Sequence, residues 1–264
     1  MRRDWLFNPV FIYRNRERIV PYLNDRRDQL TRLVKLRPFK DRHRGERCFI
    51  VGNGPSLTIS DLEKLKSEVT FAANKIYLAF DRTDWRPSYY VVEDEHMARQ
   101  HHREICQLKG SVKFVSDEWK LLYRKSSDVI LYPRYSLSRD EFPQFSKDAT
   151  QVVYCGYMVT YASLQLAYFM GFTSVYLMGV DFDYPSVRSA IEPSSNISHQ
   201  QDHFVRNYFQ PGETRNPPEL ELAERAMVCA REFFESHGRK IWNATRGGKL
   251  EVFDRISLEG ALGD

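Results

Sequence analysis

The run Gly52-Asn53-Gly54-Pro55-Ser56-Leu57 follows the apolar stretch Cys48-Phe49-Ile50-Val51. Two glycines at a strand exit permit a tight turn and let backbone amides approach an anion, so the turn reads as a seat for phosphate. A second apolar run ends at Asn74. The carboxamides of Asn53 and Asn74, with the Ser56 hydroxyl between rigid Pro55 and the next helix, suit the ribose, base edge or phosphate of a nucleotide. The pattern departs twice from a dinucleotide fingerprint: Leu57 replaces its third glycine, and Asn74 stands where an acid would hold a ribose. No Gly-Lys-Ser/Thr follows, so the turn is not a P-loop.

Three further groups have chemical potential. Asp181-Phe182-Asp183 closes another apolar run and matches the Asp-x-Asp by which many nucleotide-sugar transferases hold a divalent ion on a diphosphate. Ligands of parallel sheets bind at the carboxyl ends of strands, which is where this pair falls. Glu93-Asp94-Glu95-His96 is a second acidic strand end. Glu93 or Asp94 there would bind a donor sugar or an acceptor, although acids also decorate a helix N-terminus for reasons of stability alone. After the last apolar run, Thr245 and Lys249 flank a Gly-Gly turn that offers base or ribose contacts and a cation toward phosphate. His101 and His102 are adjacent in a helical stretch and point apart, which argues against a two-histidine metal site.

These groups need a scaffold that gathers strand ends. Short β-branched or aromatic runs at 47–52, 69–73, 88–93, 112–116, 129–132, 174–180 and 240–244 alternate with helical spacing at 61–66, 94–108, 117–124, 155–170 and 218–237. Nearly continuous apolar strands alternating with helices predict an α/β fold: Rossmann-like, doubly wound, with a mostly parallel sheet. Ser60-Asp61-Leu62-Glu63 predicts a capping box at the first helix of this domain. The stretch 183–216 carries neither period, and so long a loop in a compact domain is usually functional.

Charge divides the chain. Residues 1–47 hold 14 Lys or Arg against 6 acids, a net +8, which leaves the remainder at −4 within the chain's total of +4. We therefore expect a basic amphipathic helical extension at 1–46 and a catalytic domain at 47–264. The extension would pack on its own domain, on a second copy in a homo-oligomer, or on an anionic membrane surface. Its aromatics sit in apolar clusters and not singly among the arginines, which argues against nucleic acid. The four cysteines include no Cys-x-x-Cys pair, and no signal peptide opens the chain. The apolar segment 155–172 is too short and too polar for a membrane span. The expected location is the cytoplasm, with peripheral contact at the inner face of the membrane.

The turn Gly-Asn-Gly-Pro-Ser-Leu, Asn74 after the second strand and the run Gly171-Phe-Thr-Ser-Val-Tyr-Leu-Met-Gly-Val-Asp-Phe182 together resemble bacterial sialyltransferases acting on lipooligosaccharide. The same pattern resembles the 6-hydroxymethylpterin diphosphokinase MptE-like family and the central domain of flagellin-modifying motility-associated transferases. The resemblance covers roughly 47–260. The sialyltransferase resemblance implies that Asn53 and Asn74 contact the nucleotide of a CMP-linked acidic sugar, while Gly52, Gly54, Pro55 and Ser56 shape the pocket. It implies that Tyr184, with Asp183 intervening, neutralises the leaving phosphate. It also implies a histidine base in the run Asp202-His203-Phe204-Val205-Arg206-Asn207, which keeps the first histidine of the family's pair and has Asn207 at the second. His203, and after it His199, is then the expected base, because imidazole accepts a proton near neutral pH.

On that reading the protein is a glycosyltransferase of polysaccharide biosynthesis. It would move an acidic sugar to a hydroxyl of a glycan or lipid-linked acceptor, with no metal required. The diphosphokinase resemblance implies instead pyrophosphoryl transfer from ATP to a pterin alcohol, with Mg²⁺ on Asp181 and Asp183. A third reading is a nucleotide-binding module without turnover.

Overall fold

A computed structural model of the chain describes residues 30–123, 126–184, 202–205, 208 and 218–263. Among these, all seven long strand runs form: β1 (Arg47–Val51), β2 (Thr70–Ala73), β3 (Tyr89–Val92), β4 (Val112–Ser116), β5 (Val129–Tyr132), β8 (Ser174–Met178) and β9 (Lys240–Asn243). They build one sheet of order β5-β4-β3-β2-β1-β8-β9 in which every pairing is parallel. The chain steps outward from β1 to β5, then returns to lay β8 and β9 on the other side of β1. The strand order therefore reverses between β1 and β8, and a ligand crevice belongs above that point. Two strands of two residues, β6 (Arg134–Tyr135) and β7 (Val153–Tyr154), pair separately. They are too short for the sequence pattern to reveal.

Alternate residues of each strand divide between the two faces. Cys48, Ile50, Phe71, Tyr89, Val91, Val175 and Leu177 enter one core, while Phe49, Val51, Ala72, Tyr90, Val92, Tyr176 and Met178 enter the other. Both faces being buried explains the continuous apolar runs.

On the second face lie α1 (Ile59–Lys64), α2 (Glu95–Gln100) and α3 (His102–Gln107), represented by Leu62, Ala98 and Ile105. The capping box of α1 lies two residues earlier than expected. Thr58 Oγ1 accepts from Asp61 N at 3.2 Å, and Asp61 Oδ2 accepts from Thr58 N at 2.9 Å. Thr58 wins because its N3 partner, Asp61, is buried at 3 % exposure and also takes an ion pair from Arg246. The helical stretch 94–108 is broken at His101, which ends α2 and begins α3.

The first face is covered by α5 (Val159–Met170) and α6 (Leu220–Ser236); between them in the chain order and the preceding helices lies the single turn α4 (Lys120–Tyr123). Every residue of α5 from Thr160 to Met170 is buried. Its polar residues are satisfied in place. Gln165 Oε1 accepts from Ser146 N at 3.1 Å and Tyr154 N at 2.9 Å, and its Nε2 donates to Tyr154 O at 2.8 Å and Tyr161 O at 3.2 Å. A buried amide with its acceptor and donors matched avoids the desolvation cost of an orphan. Among the described residues, no helix is long and apolar enough to cross a membrane.

Of the basic extension, residues 1–29 lie outside the described residues. The remainder is part of the main body: Leu36 and Phe39 belong to the first core. The N–H groups of Asp41, His43 and Gly45 donate to the carbonyls of Phe169, Met170 and Gly171 at 3.0, 2.8 and 3.1 Å. Those acceptors are carbonyls at the C-terminal end of α5 that the helix itself leaves unsatisfied.

Candidate functional site

The carboxyl ends of β1, β2, β3 and β8 open into a cleft of about 620 Å³, a size typical of small-molecule sites. Its walls include Gly52, Asn53, Gly54, Asn74, Glu93, Asp94, Asp181, Asp183, Tyr184 and His203. Asn53 and Asn74 share one rim, for Asn53 Nδ2 donates to Ala73 O at 3.1 Å, next to Asn74. Asn74 takes a left-handed backbone, φ 54°, and its carbonyl accepts from Tyr90 Oη. The Asn53 Oδ1 atom is buried without a hydrogen-bond partner among the described residues.

The β1 turn does not present the nest of free amides that its glycines suggest. Gly52 N donates to Met178 O at 2.7 Å, Gly54 N to Gly179 O at 2.8 Å, and Leu57 N to Gly54 O at 3.2 Å. Ser56 is likewise engaged: its N–H and Oγ donate to Asp181 Oδ1 and Oδ2 at 3.2 and 2.8 Å. The glycines serve a close crossing of two loops. A Cβ on Gly52 would fall 2.9 Å from Gly179 C, and one on Gly54 would fall 2.8 Å from Gly179 O. The amides of Gly52, Gly54, Ser56 and Leu57 are therefore taken within the protein.

Asp181 is 7 % exposed, and burial raises its pKa against the pull of Ser56. Its carbonyl accepts from Lys249 N at 2.7 Å, while Lys249 Nζ lies 3.4 Å from Asp183 Oδ2. Thr245, 5 % exposed, accepts from Val180 N through Oγ1 at 3.2 Å. Thr245 and Lys249 thus fasten the β8 exit from behind and are absent from the cleft wall; Pro55 and Ser56 are absent from it as well. No group of three His, Cys, Asp or Glu suited to a metal occurs among the described residues.

The segment 202–205 is drawn over the β1 turn, where Phe204 N donates to Asn53 O at 3.1 Å. His203 faces the cleft with its ring stacked on Tyr208, centroids 3.7 Å apart at 10°. Lys75, only 3 % exposed, donates through Nζ to Tyr208 O at 2.7 Å and joins the same wall. Tyr184 lines the cleft too, and burial, with Asp202 and Asp181 nearby, raises its pKa. His199 and Asn207 lie outside the described residues.

A second cluster, which the sequence reading did not assemble, sits at the β3 end. Glu93 is 7 % exposed, and burial pushes its pKa up to about 7, against Arg134 and a hydrogen bond with Cys155. Arg134 Nη1 reaches both carboxylate oxygens of Glu118 at 3.1 Å, and its Nη2 donates to Cys155 Sγ at 3.2 Å. Asp94 caps α2 by accepting from Met97 N at 2.9 Å. The available signal was a lone arginine directly after an apolar strand, in Tyr132-Pro133-Arg134, and a glycine before an aromatic in Cys155-Gly156-Tyr157.

A family model described as 6-hydroxymethylpterin diphosphokinase MptE-like matches residues 26–187, 162 of the 264 residues. The chain belongs to the MptE-like family. A comparison with curated protein sequences finds none that matches it. The match takes in the β1 turn, Asn74, Glu93, Asp94, Arg134, Cys155 and Asp181 to Tyr184 of this MptE-like chain. It ends before His203 and before the β9 exit.

Proposed function

We propose that the protein is a nucleotide-dependent diphosphotransferase that moves the terminal diphosphate of ATP onto the hydroxymethyl group of a pterin-like alcohol. The observation that carries this reading is the family match over residues 26–187, a span that includes the strand-end loops of β1, β2, β3 and β8 that wall the cleft. In this reaction the alcohol oxygen attacks the β-phosphorus of ATP. The bond from that phosphorus to the oxygen bridging it to the α-phosphorus breaks, AMP leaves with the electron pair, and the alcohol proton passes to a base. His203 supports that role through its place on the wall and a ring held by stacking on Tyr208.

A family that uses ATP implies Mg²⁺, and the donor set fits it: the oxygens of Asp181 and Asp183 are hard ligands at the cleft wall. Ser56 takes two of the roughly four acceptor positions of Asp181 and fixes its orientation. Asp183 would join on releasing Lys249. When bound, the ion would neutralise charge on the transferring phosphates. Six carboxylates line the cleft (Glu93, Asp94, Asp181, Asp183, Asp202, Glu219) against the cations Lys75 and Arg134. Such a wall repels a bare triphosphate and favours one that arrives with a divalent ion.

Tyr184 favours a second reading, glycosyl transfer from a CMP-linked acidic sugar. Its place on the wall near Asp181 suits a hydroxyl that neutralises a departing monophosphate without metal. Incubation with Mg-ATP and 6-hydroxymethylpterin separates the readings. Release of AMP together with a pterin heavier by one diphosphate supports the first. Metal-free transfer from a CMP-sugar in its place would select the second. Nucleotide-induced thermal stabilisation with neither turnover would indicate a binding module.

A further inference from the structure

Glu93 and Arg134 form an ion pair that is too long for a hydrogen bond. Glu93 Oε1 and Arg134 Nε are 3.6 Å apart, both are buried, and neither has a hydrogen-bond partner among the described residues. Glu118 and Cys155 take the two Nη atoms of the guanidinium, and Nε lies 3.6 Å from Glu93 Oε1. Leaving a buried acceptor and a buried donor unmatched is costly. Both residues line the cleft, and these two atoms lie just beneath its surface.

Beside them stands Tyr157. It is 37 % exposed, holds a left-handed backbone at φ 60°, and meets Phe142 edge-on with centroids 5.2 Å apart. A bulky residue in that conformation is strained, and such strain gathers at ligand sites. Tyr157 follows Gly156, where any Cβ would collide with the Tyr161 side chain. β3 lies two strands from β1, about 10 Å at the usual spacing. That is room for the phosphate chain of a donor seated at the β1/β8 crossing.

We propose that Glu93, Arg134 and Tyr157 form the acceptor subsite, taking a planar heterocycle whose ring rests on Tyr157 and whose neighbouring N–H and C=O groups meet Glu93 and Arg134. The choice of a pterin as the heterocycle rests on the diphosphotransferase reading. A ring N–H donates to the Glu93 carboxylate while the adjacent carbonyl accepts from Arg134 Nε–H, which satisfies both unmatched groups at once.

The test is a fluorescence titration of the full chain with 6-hydroxymethylpterin and with its N3-methyl analogue, which lacks the donor. The wild-type protein is expected to bind the parent at least about ten-fold tighter than the analogue. Glu93→Leu, which leaves no acceptor, should erase that preference. Tyr157→Asn, which tolerates the left-handed backbone, should weaken both ligands alike by about ten-fold. Equal wild-type affinity for the two ligands would overturn the proposal without any variant, as would full discrimination in Glu93→Leu. If the pterin is turned over with AMP release while Glu93→Leu binds it normally, the subsite is wrong and the function stands. If the pterin neither binds nor reacts, both fall.

Discussion

The two ends of the cleft are built on different principles. At the β1/β8 crossing the wall is backbone: Gly52 and Gly54 lie against Gly179, turn amides donate to loop carbonyls, and Ser56 holds Asp181. At the β3 end the wall is charge, with Glu93 buried, Arg134 half-buried and the pair incompletely matched. At the first end the turn glycines and Ser56 are matched and Asn53 Oδ1 is left over; at the second, both facing atoms of a charged pair are. Rigid backbone suits a group that every turnover presents in the same way, whereas unmatched side chains confer selectivity, because a wrong ligand leaves them unpaired.

Substitutions at the two ends should therefore fail differently. The largest effect is expected from Gly52→Ala, whose Cβ meets the Gly179 carbonyl group with no side chain able to yield. It should cost about 3 kcal/mol in denaturant unfolding, and nucleotide should no longer raise the Tm. Ser56→Ala removes the hydroxyl donor to a buried carboxylate and should cost about 2 kcal/mol. If nucleotide affinity survives that change, the crossing is scaffold and not part of the donor site.

The β3 end should show itself in pH. The pKa of Glu93 is raised in the folded protein, from 4.5 to about 7, chiefly by burial; Arg134 opposes the shift and Asp94 adds to it. A raised carboxyl contributes stability that is fully present below pH 4.5 and is lost as pH rises through about 7. Urea unfolding of wild type and Glu93→Gln across that window should show the wild type losing ground to the variant, by at most about 1.4 kcal/mol per pH unit. Parallel curves would mean that the charge is matched after all. Asn74→Gly should change stability least, by under about 0.5 kcal/mol, because φ 54° suits glycine. A simultaneous loss of nucleotide stabilisation would separate a contact role for the carboxamide from its backbone role.

The sheet was legible because parallel strands buried on both faces must read as apolar runs, and each of the seven did. The carboxyl-end location of the site followed from the same rule. What escaped was tertiary. A glycine that lets another loop approach is indistinguishable in sequence from one that lets an anion approach, and here the amides of Gly52 and Gly54 donate to Met178 and Gly179. Thr245 carries the residue type of a ligand contact, yet its hydroxyl is spent on Val180. Glu93 was read, with Asp94, as an acid for a donor sugar or an acceptor, but without the groups that surround it. Its partners, Arg134 and Cys155, lie far along the chain and meet it through β6 and β7, two-residue strands with no periodic signature. The helix α1 shifted because Thr58 and Ser60 are both competent caps, and only the burial of Asp61 decides between them.

The clasp of residues 41–45 on the last turn of α5 bears on where this protein can be cut. A truncation beginning at the first strand would look clean on paper, yet it would strip three N–H partners from Phe169, Met170 and Gly171 and take Leu36 and Phe39 out of the interior. The helix left frayed is the one that walls the cleft through Val159, Thr160 and Ser163, so trimming the amino-terminal side should loosen the ligand chamber from the opposite end of the helix.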